Sequence, residues 1–240
     1  MTQATQSEQS ATQPIKVGVI GATGMAGSAI FKQAQAAGMD VTAIVRNEER
    51  AHQMLGEDAH VLVRDSFALH MTDIIHFDVL VNAINFPNKY AYRHETFTRH
   101  LVTQVEQEPL TRVPHDLKTS PRLFFILGAG SLQTGDGENR HLVVEDLAKA
   151  PNASEFLATS QYQVRELDYL RTVRDVSWVA VSPSLMFHAG EPTERIEGEN
   201  MLLTNSKGVS EVTSGTLAQA VVAEIKADRR HNERFTVCDK

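Results

Sequence analysis

The sequence predicts an α/β protein folded as one doubly wound domain around a parallel sheet. Three observations carry that expectation. Short, nearly uncharged, β-branched runs recur along the chain and read as strands buried on both faces. Segments of helical periodicity fill most of the intervals between them, as crossover connections between parallel strands require. The chain has 240 residues, 42% of them hydrophobic, enough to bury a sizeable core within the size range of a single α/β domain.

The opening fourteen residues, MTQATQSEQSATQP, are rich in Gln, Thr and Ser and predict a flexible tail, residues 1–14, ahead of a domain at 15–240. They lack the basic start and apolar run of a secretory leader. Ile15 to Ile20 reads as the first strand. Met25 to Ala37 reads as a helix with Ala26, Ile30, Phe31 and Ala34 on one face, closed by Gly38. Val41 to Val45 is the second strand, Glu48 to Leu55 a helix and Ala59 to Val63 the third strand. Asp78 to Ile84 and Arg122 to Gly130 follow as the fourth and fifth strands, with a helix from Tyr92 to Glu108 between them. Ser154 to Leu170 reads as a helix and Ser177 to Ser184 as the sixth strand. An amphipathic helix, Ala218 to Asp228, and a last edge strand, Arg234 to Val237, end the pattern. Two stretches exceed this minimal plan, the long polar segment 86–120 and the turn-rich GDGEN at 135–139. Both follow the C-terminal ends of strands, where open α/β sheets bind ligands, so both are expected to form substrate loops.

Composition narrows the partners. With 23 Lys and Arg against 30 Asp and Glu, the net charge is −7, which disfavours nucleic acid. Cys238 is the single cysteine, so neither a disulfide framework nor a cysteine metal site is possible, and a reducing cytoplasm suits the chain. Apolar runs such as LFFIL fall far short of the roughly 20 residues of a membrane helix. The expectation is a soluble cytoplasmic protein, monomer or homodimer, with a small-molecule substrate. None of the ten histidines falls in HExxH, and His94 with His100 is not an i, i+4 pair, so no metal is expected.

The stretch KVGVIGATGMAGSAIFKQAQAAG from Lys16 to Gly38 spaces Gly21, Gly24 and Gly27 three residues apart where a strand gives way to a helix. Glycine is costly inside regular structure, but at such a turn it lets the backbone approach a diphosphate while the free N–H groups of the helix start face its charge. Gly21 is expected to make the turn, Gly24 the close approach and Gly27 the packing of helix on strand. The segment Gly21, Ala22, Thr23, Gly24, Met25, Ala26 and Gly27 is therefore the candidate cofactor cradle of a Rossmann-type fold.

GATGMAG is GxxGxxG and not the GxGxxG of ordinary dehydrogenases. With VTAIVRN, DVLVNAI, FFILGAGSL, WVAVSPSLMF and RFTV following in order, the chain resembles the atypical short-chain dehydrogenase/reductases. Within them it is most similar to the NAD(P)H-binding family labelled NADH-flavin reductases, relatives of biliverdin IXβ reductase and the NmrA-like proteins. The resemblance runs from about Ile15 to the C-terminus. It implies that Asp65 and Ser66 contact adenine, that Asn82, Ala83 and Ile84 border the adenosine and ribose, and that Gly128 and Ala129 belong to the cofactor site. It also places Ser131 facing the nicotinamide, to orient substrate or relay a proton, and Pro183, Ser184 and Phe187 on the substrate side. Ser131 also reads as a helix or turn cap, and Phe187 as core packing.

Chemistry adds two readings. An NAD-specific site carries an acid after the second strand; Arg46 stands there, and a guanidinium suits the 2'-phosphate of NADP, with NAD the alternative. Classical short-chain dehydrogenases use Tyr with Lys four residues on. His94, Thr96, Glu166 and Val173 follow the four tyrosines at that spacing, so the pair is absent. Flavin reduction asks less of the protein, because the ring accepts the hydride itself. The expectation is a reductase carrying hydride from NADPH to a flavin or similar planar acceptor. An NmrA-like sensor that binds the nucleotide without turnover is the alternative.

Overall fold

The computed structural model describes residues 13–106 and 120–240. Most of the expected tail, residues 1–12, and residues 107–119 of the first substrate loop lie outside the described residues. The first half runs β1 (Lys16–Ile20), α1 (Met25–Ala36), β2 (Asp40–Val45), α2 (Glu48–Leu55), β3 (His60–Val63), α3 (Met71–Ile74), β4 (Val79–Asn82) and α4 (Arg93–Glu106). There follow β5 (Arg122–Ile126), a small hairpin of β6 (Gln133–Thr134) and β7 (His141–Leu142), α5 (Val143–Leu147), α6 (Leu157–Leu170) and β8 (Trp178–Pro183). The closing part holds β9 (Met186–His188), β10 (Arg195–Gly198), β11 (Glu211–Thr213), α7 (Ser214–Ala227) and β12 (Glu233–Asp239).

The main sheet has the order β10-β12-β8-β5-β4-β1-β2-β3. Every pairing is parallel except that of β10 with β12. This is the Rossmann arrangement. β1 lies between β2 and β4, so the chain leaves its centre in one direction and later returns to build in the other. A crevice opens at that reversal, above the C-terminal ends of the strands.

Alternation along the strands divides the sheet's apolar residues between two cores. Val17, Val19, Val79, Val81, Phe124 and Val181 pack with Ile30 and Phe31 of α1 and Leu217 and Val221 of α7. Leu80, Leu123, Phe125, Trp178 and Ala180 pack with Phe97 and Leu101 of α4 and Leu167 and Leu170 of α6. Helices thus cover both faces, which is why the strands carry almost no charge.

Two sequence expectations are corrected. The segment containing Arg234 to Val237 is not an edge strand: β12 is internal, between β8 and the antiparallel β10. The closing helix is not amphipathic in the usual sense and starts at Ser214, where the Thr213 hydroxyl accepts from the Thr216 N–H at 3.0 Å. It is buried nearly all round, between the sheet, α1 and the 190–193 segment.

Even Glu224 of α7 is buried. Its carboxylate accepts from Arg122 Nη2 at 2.7 Å, from the N–H groups of Arg229 and Arg230, and from Arg230 Nη1 at 2.8 Å. Burial pushes the Glu224 carboxyl up, but these donors outweigh it and hold it below the usual range. A carboxyl depressed in the folded state stabilises above its unfolded pKa, and that contribution is lost as pH falls through the folded value. Urea unfolding across the acid range is expected to show this loss in the wild type and a smaller one in Glu224→Gln; parallel pH profiles would contradict it.

Candidate functional site

A cleft of about 560 Å³ lies at the crevice. Gly21, Thr23 and Gly24 form its floor after β1, Arg46 follows β2, Arg64 to Ser66 follow β3, and Ala83 to Pro87 follow β4.

The glycine turn has three distinct local causes. Gly21 sits at φ +79°, a left-handed conformation that costs other residues more, and its N–H donates to the Ile44 carbonyl at 3.2 Å. At Gly27 a Cβ would collide with the Gly21 carbonyl, so only glycine lets α1 come down on the turn. Gly24, by contrast, has φ −87° and ψ 172°, which any residue adopts. A Cβ there would stand 3.2 Å from the Gly21 oxygen, tight but without collision. The fold alone does not demand this glycine.

The helix start is bare as well. Gly24 is the N-cap of α1, with no side-chain cap and no acidic residue in the first turn. The leading N–H groups of an α-helix have no partner within it, and the N-terminal end of the helix dipole favours an anion.

Four arginines line the cleft, Arg46, Arg50, Arg64 and Arg93, with Asp65 the one carboxylate. The Arg64 guanidinium is already engaged with Asp73, with Nη2 to Oδ1 at 3.0 Å and Nε to both oxygens at 3.3 Å. Arg93 lies over the rings of Tyr90 and Phe67, at 4.8 and 5.7 Å from their centroids. The side chains of Arg46 and Arg50 are exposed and have no hydrogen-bond or ion-pair partner among the described residues. They flank Asn47, which caps α2 by accepting from the Arg50 N–H at 2.8 Å.

The wall after β4 is fixed through its backbone. The Phe86 N–H donates to Nε2 of the buried His94 at 3.2 Å, and the Phe86 carbonyl accepts from the Thr159 hydroxyl at 3.2 Å. With Nε2 accepting, His94 carries its proton on Nδ1, which faces Glu166 Oε2 at 3.5 Å; the other Glu166 oxygen accepts from Thr98 at 2.6 Å. Asn88 joins the same loop to α6, accepting from the Thr159 N–H at 3.0 Å and donating to the Ser154 carbonyl at 2.6 Å.

Of the expected residues, the cleft brings together Gly21, Thr23, Gly24, Arg46, Asp65, Ser66, Ala83 and Ile84. Ala22, Ala26 and Gly27 are buried beneath the turn, while Met25 is exposed at its rim. Asn82 is buried and accepts from the Ile84 N–H, shaping the turn rather than lining the cleft. Gly128 is half-buried and Ala129 buried at the neighbouring end of β5. Ser131 is turned from the cleft: it is buried, and its hydroxyl accepts from Arg234 Nη1 at 3.2 Å. Pro183 is buried in β8, Ser184 donates to the Val237 carbonyl at 2.9 Å, and Phe187 packs on the core. Leu185 and Met186 are the exposed side chains there. The 135–139 segment forms a short 3-10 turn and lies outside this cleft. Sequence reading missed Arg50, Arg64 and Asn85, and it did not single out Tyr90 and Arg93 within the expected 86–120 loop, whose first residues, Phe86, Pro87, Tyr90 and Arg93, line the cleft. The available signal was a second basic residue, Arg64, directly after a strand, as Arg46 follows β2.

Arg234 is itself unusual. It donates to Ser131, Ser182 and Asn200, its Nε has no partner, and no carboxylate meets it among the described residues. Burial, with a smaller push from Arg171, lowers its pKa to about 10.

An uncapped helix start beside arginines without a partner among the described residues suits a phosphorylated ligand, and the fold is of Rossmann type, consistent with the atypical short-chain dehydrogenase/reductases. The chain is 33% identical over 225 residues to the uncharacterized protein YwnB of Bacillus subtilis (strain 168), covering 93% of this chain and 98% of that one. It belongs to that protein's family. A crystal structure from Lactobacillus casei superposes with a TM-score of 0.82 at 29% identity, covering 94% of this chain and 99% of that one. A candidate NADH-flavin reductase from Streptococcus pneumoniae superposes at 0.79 with 28% identity, covering 94% and 100%. No protein-family model matches the chain. Among the described residues no helix is long and apolar enough to cross a membrane, and no group of three or more His, Cys, Asp or Glu stands ready to hold a metal ion.

The two inner glycines are expected to separate in their effects. Gly27→Ala should lower stability by about 1–3 kcal/mol through overpacking, while Gly24→Ala should cost less stability and weaken NADP binding. Urea unfolding and titration calorimetry check this, and equal destabilisation by the two would contradict it.

Proposed function

We propose that the protein is an NADPH-dependent reductase whose acceptor is a flavin or a similar planar molecule. The observation that carries this reading is the bare α1 N-terminus at Gly24 beside the unpaired Arg46 and Arg50. The α1 amides would hold the diphosphate, and the two guanidinium groups would hold the adenosine 2'-phosphate by charge-assisted hydrogen bonds. Asp65, Ser66, Ala83 and Ile84 would border the adenosine. The bound dinucleotide supplies the hydride; the chain's part is to bind it, orient it and shape the acceptor's place.

A planar conjugated acceptor is favoured because no Tyr with Lys four residues on occurs in the sequence and Ser131, buried against Arg234, is not on the lining of the cleft. An acceptor that takes hydride into its own ring system needs little proton transfer from the protein. Met25 at the start of α1 and Leu185 and Met186 beyond β8 are exposed and follow the C-terminal ends of β1 and β8, where they would offer apolar surface to a flat ring. The NmrA-like sensor is the second reading, favoured by the same lack of a poised proton donor.

Mixing the purified protein with NADPH and FMN is expected to give NADPH oxidation above the uncatalysed rate. Tight NADP binding without turnover on flavins or quinones would replace the reductase with the sensor. Arg46→Ala and Arg50→Ala should each lower the NADPH-to-NADH affinity ratio about tenfold or more, the size of a lost charge-assisted contact; an unchanged ratio would reject the 2'-phosphate assignment.

A further inference from the structure

On β8, Trp178 and Ala180 pack in the core beneath α6, and strand alternation puts Ser182 on the same face. β12 runs beside β8 in parallel register, with Arg234 next to Ala180 and Thr236 next to Ser182, so both share that face. Ser131, just past β5, completes the group through its contact with Arg234. All four side chains are buried, Arg234 at 6% exposure and Thr236 fully.

Donors outnumber acceptors here. A guanidinium carries five N–H groups and accepts nothing. Nη1 of Arg234 donates to the Ser131 and Ser182 oxygens at 3.2 Å each and Nη2 to Asn200 Oδ1 at 2.7 Å, while Nε has no partner. Both serine oxygens accept from the cation, and neither hydroxyl donates to another group among the described residues. The Thr236 hydroxyl, two residues along β12, has no partner among them either. Buried polar atoms of this kind are rare in native proteins and call for an explanation.

The charge is unmet as well. No carboxylate pairs with Arg234 among the described residues, and Arg171, at the end of α6, adds further positive potential. With its pKa lowered only to about 10, the group keeps its charge at neutral pH. A buried cation without a counter-charge is costly. Water would satisfy the donors and leave the charge; an anion answers both. Adjacent strands lie only about 4.8 Å apart, so donors on β8 and β12 converge on something small.

We propose that Arg234, Thr236, Ser182 and Ser131 form a binding site for a small monoanion, either a halide or the carboxylate of a small acid. None of the four lines the arginine-rich cleft, so the site stands apart from the dinucleotide reading. A depression of about 450 Å³ beside β10 has Arg234 on its lining and gives an approach from solvent. Glu197, Glu199 and Glu233 also border it, matched by Arg229 and Arg230 beside Arg234. Glu197 is itself paired with Arg195 and Arg230.

Melting temperature is followed in bromide and in formate, with gluconate, too bulky for the cluster, holding ionic strength constant. Above its dissociation constant the bound anion should raise the melting temperature by about 3–5 °C for each tenfold increase in concentration. A larger response to bromide assigns the site to a free halide, and a larger response to formate assigns it to a carboxylate. Thr236→Val, which keeps the side-chain shape, should shift the response to about tenfold higher concentration, with the melting temperature in gluconate unchanged or raised. Arg234→Met should abolish the response, and Thr236→Val serves alone if that variant does not fold. Identical melting of the wild type in all three salts, or a response kept in full by the variants, would overturn the proposal.

Discussion

The carbonyl oxygen of Gly21 occupies the space that a side chain at residue 27 would need, and Gly21 holds it there in a left-handed conformation. From that contact follows the descent of α1 onto the end of β1. It brings the helix start, uncapped by any side chain, to the point where the sheet changes direction. Amides that would otherwise be satisfied by a capping oxygen are left to face the cleft. The remainder of the site is arranged around this fixed point: basic side chains on the β2 and β3 side, a backbone-pinned wall on the β4 side and the Gly128 turn beyond it.

Charge is distributed against the average. A chain of net charge −7 gathers four arginines around one cleft with a single carboxylate on its lining. Concave sites concentrate potential, so the sign of charge in this cleft runs opposite to that of the molecule as a whole. The arginines are not equivalent. Arg64 is neutralised by Asp73 and Arg93 rests on aromatic rings, whereas Arg46 and Arg50 have no partner among the described residues, so the uncommitted donors of the lining are concentrated in two side chains flanking the start of α2.

Much of the frame was legible because buried parallel strands announce themselves. β1, β2, β4, β5 and β8 are short apolar runs, and α2 matches the expected Glu48 to Leu55 residue for residue. β10 was not legible: RIEG has no apolar pattern, and without it β12 looks like an edge. The glycine roles could be read since turn, approach and packing depend on local backbone. The direction of the Ser131 hydroxyl could not, since it is set by Arg234, more than 100 residues away. Arg50 and Arg93 escaped because an arginine in the first turn of a helix, here α2 and α4, reads like any solvated helix residue, and Tyr90 because it sits in a connection that leaves no periodic trace. Asn82 showed the converse: its place at the end of β4 was read well, but its side chain serves the turn.

The placement of β12 bears on how the chain is made. Synthesis proceeds in sequence order, so β8 and β10 leave the ribosome before the strand that separates them in the sheet. Until β12 inserts, β8 exposes an open hydrogen-bonding edge flanked by apolar side chains, and β10 has no strand to join in the main sheet. Unpaired edges of this kind invite association with other chains. One strand thus both seals the β8 border and holds its outer neighbour β10 in the sheet.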